Sequence, residues 1–125
     1  MNVPQNLKYT KDHEWALITA DIAIIGISEY AQHELGDIVY IELPRPGEVF
    51  TRGDSIGTIE AVKTVADVYA PLSGEIVEVN EALKDASELV NKDPYGEGWI
   101  AKMKLTDLSE IDELMIPEDY QKLLG

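Results

Sequence analysis

Gly57-Thr-Ile-Glu-Ala-Val-Lys63-Thr-Val-Ala-Asp-Val-Tyr-Ala-Pro71-Leu-Ser-Gly74 is the stretch on which the reading of this chain turns. Two β-rich runs, Ser55–Val62 and Thr64–Tyr69, meet at Lys63 with no Gly or Pro between them. That pattern predicts a tight turn with the lysine projecting from a rigid base. Lys63 is the only basic residue between Gly53 and Leu83, a window that also holds Asp54, Glu60, Asp67, Glu75, Glu78 and Glu81. A lysine amine titrates near 10.4, so it stays an inert ammonium until an enzyme deprotonates it. The β-branched neighbours Val62, Thr64 and Val65 stiffen its presentation. A solvated charge is the ordinary reading of a hairpin lysine. A lone amine among acids, rigidly held out, is also what a covalent cofactor requires.

Outward from this finger, most of the chain reads as short strands. Glu14–Thr19 and Ile22–Ile27 are β-rich runs joined by an Ala20-Asp21 turn. Ser28 is placed to cap a short helix over Glu29–Leu35, and Gly36 to end it. Asp37–Leu43 is a further strand, and Pro44-Arg-Pro46-Gly47 is an interruption no central strand would tolerate. Glu75–Asn80 resumes the sheet. Beyond it come a helical turn or two in Glu81–Asn91, a loop over Asp93–Gly98 and a strand over Trp99–Leu105. Asp107 and Glu110 fit the start of a helix that would put Leu108, Ile111 and Met115 on one face. Pro117 opens a last helix, with Tyr120, Leu123 and Leu124 available for docking. Short strands punctuated by Gly and Pro favour a sandwich or barrel over a parallel α/β sheet. Gly36-Asp-Ile-Val39 is weakly echoed by Gly74-Glu-Ile-Val77, which would suit a pseudo-two-fold sandwich.

Composition narrows the function. At 125 residues the chain suits one domain with a modest core, and its 45% hydrophobic fraction is enough to build that core. No apolar run approaches the roughly 18 residues of a membrane span. No signal or transit peptide is evident, so the expected location is the compartment of synthesis, a bacterial cytoplasm or, for a trimmed mature form, the mitochondrial matrix. A net charge of −14 would repel nucleic acid and anionic lipid, so neither is an expected partner. The acids are spread, 11 in residues 1–74 and 13 in 75–125, and such a surface can steer encounters with basic clefts on other proteins. With no cysteine there is no disulfide, thiolate metal site or cysteine nucleophile. His13 and His33 lack clustered partners, so no metal site is expected. No Ser-His-Asp order or phosphate-binding glycine loop supports an enzyme, and no catalytic residue is assigned. Trp15, Trp99 and Tyr120 read as packing anchors, and Tyr30 and Tyr40 as fillers between helix and sheet.

A lysine at a hairpin tip followed by Pro71-Leu-Ser-Gly74 resembles the biotinyl/lipoyl carriers. Biotin carriers flank their lysine with methionines, whereas Val62 and Thr64 stand here. The resemblance sharpens when His13-Glu-Trp-Ala16, Gly26-Ile-Ser-Glu-Tyr-Ala-Gln32, Leu35-Gly-Asp-Ile-Val-Tyr-Ile-Glu-Leu-Pro44 and Asn91-Lys-Asp-Pro-Tyr-Gly-Glu-Gly-Trp99 are added. With Glu60-Ala-Val-Lys63 and Asp67-Val-Tyr-Ala-Pro-Leu-Ser-Gly-Glu75, these blocks run in order from about Leu7 to Tyr120. They are similar to the glycine cleavage system H-protein family. The family's usual serine two residues before the lysine is Ala61 here, a change that leaves the acceptor amine in place.

The resemblance implies a mainly β fold, a barrel-sandwich hybrid of the lipoyl-domain type with short peripheral and C-terminal helices. It would be a single lipoyl-binding domain over 1–125, with its β-sandwich core at about 7–105 and a helical segment at about 106–125. Lys63 would carry lipoic acid as an amide. The chain would shuttle an aminomethyl unit from a pyridoxal-phosphate-dependent glycine decarboxylase to a tetrahydrofolate-dependent aminomethyltransferase, and dihydrolipoyl dehydrogenase would reoxidise it. A lipoylating enzyme would be a further partner, and a monomer is expected. In the family the loaded arm folds into a cleft whose acidic positions match Glu14 and Asp67, and Asp12 would add an acceptor. A cysteine-free scaffold would avoid trapping a dithiol arm in a mixed disulfide. Two rivals remain open at this point: an H-like protein relaying lipoate to 2-oxo acid dehydrogenases, and an unmodified acidic interaction module. Glycine–bicarbonate exchange separates the first, and intact mass the second.

Overall fold

A computed structural model describes all 125 residues. In chain order the elements are β1 (Lys8–Tyr9), β2 (Glu14–Thr19), β3 (Ile22–Ile27), α1 (Glu29–Leu35), β4 (Ile38–Glu42), β5 (Val49–Phe50), β6 (Ser55–Ala61), β7 (Val65–Tyr69), β8 (Gly74–Val79), α2 (Leu89–Lys92), β9 (Ala101–Leu105) and α3 (Pro117–Leu124). Single 3-10 segments cover Glu81–Lys84 and Leu108–Glu113. Six strands form one antiparallel sheet in the order β1-β2-β3-β9-β8-β5, and three form a second in the order β4-β6-β7. The molecule is therefore mostly β, with two sheets, short helices and no closed barrel, in keeping with the lipoyl-domain type that the resemblance implies.

Local sequence explains the main elements. Thr19 pairs with Ile22, so Ala20-Asp21 is a two-residue hairpin loop, and Ala20 takes the left-handed φ of 55° such a loop favours at its first position. Ser28 caps α1 by accepting the Ala31 N–H. Gly36 closes the helix at φ 80° and donates to the Gln32 carbonyl. The two sheets close on each other through Ile25, Ile76 and Met103 on one side and Ile41, Ile59 and Val68 on the other, all fully buried. The echoed segments fall one in each sheet, at the start of β4 and of β8.

A second, smaller core holds the chain's two ends together. Val3, Leu7, Tyr9, Trp15 and Tyr120 are buried in it. The Trp15 indole N–H is shared between the carbonyls of Ile27 and Pro94, 3.0 Å from each. Gly26 faces that ring so closely that any Cβ would collide with it. Tyr9 exchanges backbone hydrogen bonds of 2.9 and 2.8 Å with Met115, joining β1 to the segment ahead of α3.

Several expectations need correction. β1 and β5 were not expected, because two residues are too few to show alternation. The Asp107 segment is a 3-10 helix, with three residues per turn, so the register expected for an α-helix slips. Leu114 is buried in place of Met115, and Leu108 is 53% exposed. Tyr40 is 54% exposed on the outer face of β4 and fills no gap under a helix. Leu123 faces water, while Leu124 packs on the second core.

Candidate functional site

The β6–β7 hairpin carries Lys63 at its end. Glu60 pairs with Val65, and the Ala61 N–H donates to the Thr64 carbonyl at 2.8 Å, which leaves only Val62 and Lys63 beyond the ladder. Neither has a positive φ, so the turn needs no glycine and accepts a β-branched residue. The Val62 N–H donates to the Asp37 carbonyl at 3.0 Å, which ties the tip to the start of β4. Lys63 is exposed and belongs to none of the molecule's four ion pairs. Its stem lies against Gly36, and a Cβ on Gly36 would stand 3.4 Å from Lys63 Cε. Val62 and Val65, both largely exposed, flank the amine with apolar surface.

The acidic candidates converge elsewhere, on a cavity of about 190 Å3 between α1 and the β6–β7 pair. Asp12, Glu14 and Asp67 line it with Tyr30, Glu34 and Leu35. Glu14 is 2% exposed at the start of β2. The Thr10 hydroxyl donates to its Oε1 at 2.6 Å and the Tyr69 N–H to its Oε2 at 3.2 Å. Burial pushes the Glu14 carboxyl up to about 7, against the lowering effect of those two donors, and the charge of Asp12 pushes the same way as burial. Asp67 lies on the exposed side of β7 and accepts a 2.8 Å hydrogen bond from the Ser55 hydroxyl. Glu14 is thus a buried carboxyl with a raised pKa and Asp67 a solvated one. A larger cavity of about 430 Å3 shares Asp12 and Glu14 and is bordered further out by the Arg52–Glu113 ion pair.

Sequence reasoning overlooked part of this wall. His13, set aside there as a metal ligand, lines the cavity and adopts φ 71°, rare for a residue with a Cβ. Its Nδ1 lies 2.9 Å from the Tyr120 hydroxyl, 107 positions away. No local pattern could announce that pair. Thr10 and Tyr69, which hold the Glu14 carboxyl, were equally silent, although Thr10 sits four residues ahead of it in a turn.

Comparison with known proteins agrees with this geometry. The model of the glycine cleavage H-protein family matches residues 7–125. A glycine cleavage system H protein of Bacteroides thetaiotaomicron is 54% identical over 125 residues, covering 100% of this chain and 99% of its own. One from Thermus thermophilus is 52% identical, covering 99% of this chain and 97% of its own. The crystal structure of a glycine cleavage system H protein from Mycobacterium marinum superposes with a TM-score of 0.90 at 39% identity, covering 98% of both chains. With the hairpin lysine, the two-sheet fold and full-length similarity all in agreement, the chain belongs to the glycine cleavage H-protein family.

Proposed function

We propose that Lys63 is the attachment point through which this chain works as the lipoylated carrier of glycine cleavage. It is a carrier component of that system and not one of its enzymes. The observation that carries the assignment of Lys63 is its placement: an exposed, unpaired amine at the end of a two-stranded finger whose tip is tied to β4. An acylating enzyme can reach it without opening the fold, and no ion pair has to be broken first. When bound as an amide, lipoic acid supplies a dithiolane whose sulfur can hold a one-carbon amine unit between active sites.

The chain's own residues suit that role. Lys63 and Asp67 are four positions apart along the finger, about 13 Å of extended strand. A lysine stem lengthened by a medium-length acyl chain spans that distance, so the arm's end reaches the cavity. There Asp67 offers a carboxyl acceptor for an ammonium, and Asp12 another. Glu14, titrating near neutrality, is driven to its charged form by an arriving cation and releases a proton as it binds. The apolar parts of the wall, Ile27, Leu35, Ile59 and Val68, exclude water from the seated end. Tethering also raises the local concentration of the one-carbon unit at each partner.

The partners proposed are glycine decarboxylase, aminomethyltransferase, dihydrolipoyl dehydrogenase and a lipoylating enzyme. No helix is long and apolar enough to cross a membrane, and the Bacteroides and Thermus relatives are bacterial. A bacterial cytoplasm is the location proposed. Intact mass of the protein from its native host tests the assignment. One lipoyl mass should be present and should vanish in Lys63→Arg, which keeps the charge but blocks acylation. An unmodified native protein would refute it. A fully lipoylated protein that supports no glycine–bicarbonate exchange with the decarboxylase would point to lipoate relay instead.

A further inference from the structure

Tyr120 on α3 is fully buried, its ring stacked on Tyr9 with centroids 4.4 Å apart and planes 3° from parallel. Its hydroxyl lies 2.7 Å from Ser28 Oγ and 2.9 Å from His13 Nδ1. Ser28 is also fully buried, and its Oγ already accepts the Ala31 N–H as the cap of α1. The Ser28 hydrogen therefore needs an acceptor, and the Tyr120 oxygen is the one at hand. A buried hydroxyl left without one would be desolvated with nothing in return, which folded proteins avoid. The Tyr120 hydrogen then goes to its remaining neighbour, Nδ1 of His13. A neutral imidazole that accepts at Nδ1 carries its own proton on Nε2. The chain of donors runs from Ala31 to Ser28 to Tyr120 to Nδ1 of His13, and it ends on an Nε2–H without a protein partner.

We propose that Tyr120 is the positioning residue of the arm cavity: its hydroxyl fixes His13 as a hydrogen-bond donor in the cavity wall. The occupant rests on the carrier reading above, whereas the network belongs to the protein itself. The His13 backbone is held in its left-handed bend because its N–H donates to Thr10 and its carbonyl accepts from Ser28. The ring packs 4.7 Å from that of Tyr30. The groups facing it are Asp12 and Glu14 beside it in the chain, Tyr30 and Glu34 on α1, Asp67 on β7 and Tyr120 on α3. Burial lowers the His13 pKa below its usual range, against the raising effect of Asp12 and Glu34, and keeps the ring neutral. Burial, against the lowering effect of the Ser28 hydrogen bond and with Tyr95, Tyr30 and Glu14 adding to it, raises Tyr120 to about 12, which keeps its proton on the hydroxyl. Carboxylates alone would match only an ammonium. An added N–H donor matches an end that also presents an acceptor, as a sulfur beside an amine does. The C-terminal helix is thereby part of the site that receives cargo.

Imidazole 15N spectra of the unlipoylated protein test the network. Wild type should show His13 as a single Nε2–H tautomer near neutral pH. Tyr120→Phe keeps the stacked ring but frees Nδ1. It should give mixed tautomers and a raised His13 titration midpoint. A wild-type Nδ1–H tautomer overturns the proposal even if the variant fails to fold, and so does a Tyr120→Phe ring spectrum that matches wild type. On lipoylated protein loaded by glycine decarboxylase, Tyr120→Phe should release its one-carbon unit about two- to tenfold faster, the factor one ordinary hydrogen bond is worth. It should still gain the full lipoyl mass. Equal release despite altered tautomers removes Tyr120 from the cargo site. Wild type without lipoyl mass would defeat the carrier reading and leave the ring spectra to decide the network.

Discussion

Lys63 and Glu14 show how one small β-fold handles two ionisable groups in opposite ways. The amine stands at the end of β6–β7 in water, unpaired, with its stem against Gly36. The carboxyl is 2% exposed, held by Thr10 and Tyr69, and titrates about where cells live. Exposure leaves the first open to anything in solution. Desolvation lets the second answer to an incoming charge. The separation is made by backbone: a turn free of positive φ for the lysine, and a left-handed residue at His13 that delivers Glu14 inward.

The largest effect should come from the exposed end. Lys63→Arg should abolish acylation completely while shifting folding stability by no more than about 0.5 kcal/mol, as surface changes do. A large loss of stability in urea denaturation would erase the contrast between the two regions.

Next is the buried end. Glu14 holds its proton more tightly folded than unfolded, so its stabilising contribution is complete below about 4.5 and is lost as pH rises through about 7. Glu14→Gln stays neutral throughout. Its stability relative to wild type should climb between those values by on the order of 3 kcal/mol. Denaturation across that range checks it, and a flat difference would make Glu14 an ordinary carboxylate.

Gly57→Ala probes the finger's base, where a Cβ would collide with the Glu42 carbonyl across the β4–β6 pair. It should cost about 1–3 kcal/mol, as overpacking does, and leave the Glu14 titration in place. Asp67→Asn should matter least to folding, within about 0.5 kcal/mol, because its carboxylate is solvated and meets only Ser55. A larger loss would move Asp67 to the buried side of the comparison.

Most of the scaffold could be read from local pattern. β2, β3, α1 and its Ser28 cap follow from alternation and capping chemistry that act within a few residues. The hairpin and its lysine were legible for the same reason. What escaped was set at long range. Leu114 replaced Met115 because tertiary packing drew that segment into a 3-10 turn. Glu14, Asp12 and Asp67 were named through family resemblance, yet the Glu14 carboxyl is held by the Tyr69 N–H from another sheet, a partner no local pattern shows. The His13–Tyr120 bond joins residues at opposite ends of the chain, and neither carries a mark of the other.

The zipper between Tyr9 and Met115 sets an order of events during synthesis. A polypeptide emerging from the ribosome can build its hairpins as they appear. Tyr9 in β1 must nonetheless wait for Met115, far along the chain, before its outer edge is closed. The finger bearing Lys63 closes between sequence neighbours, whereas the wall that His13 shares with Tyr120 closes only once two distant segments have both been made, so the tip can take shape on a nascent molecule whose chamber is still missing one side.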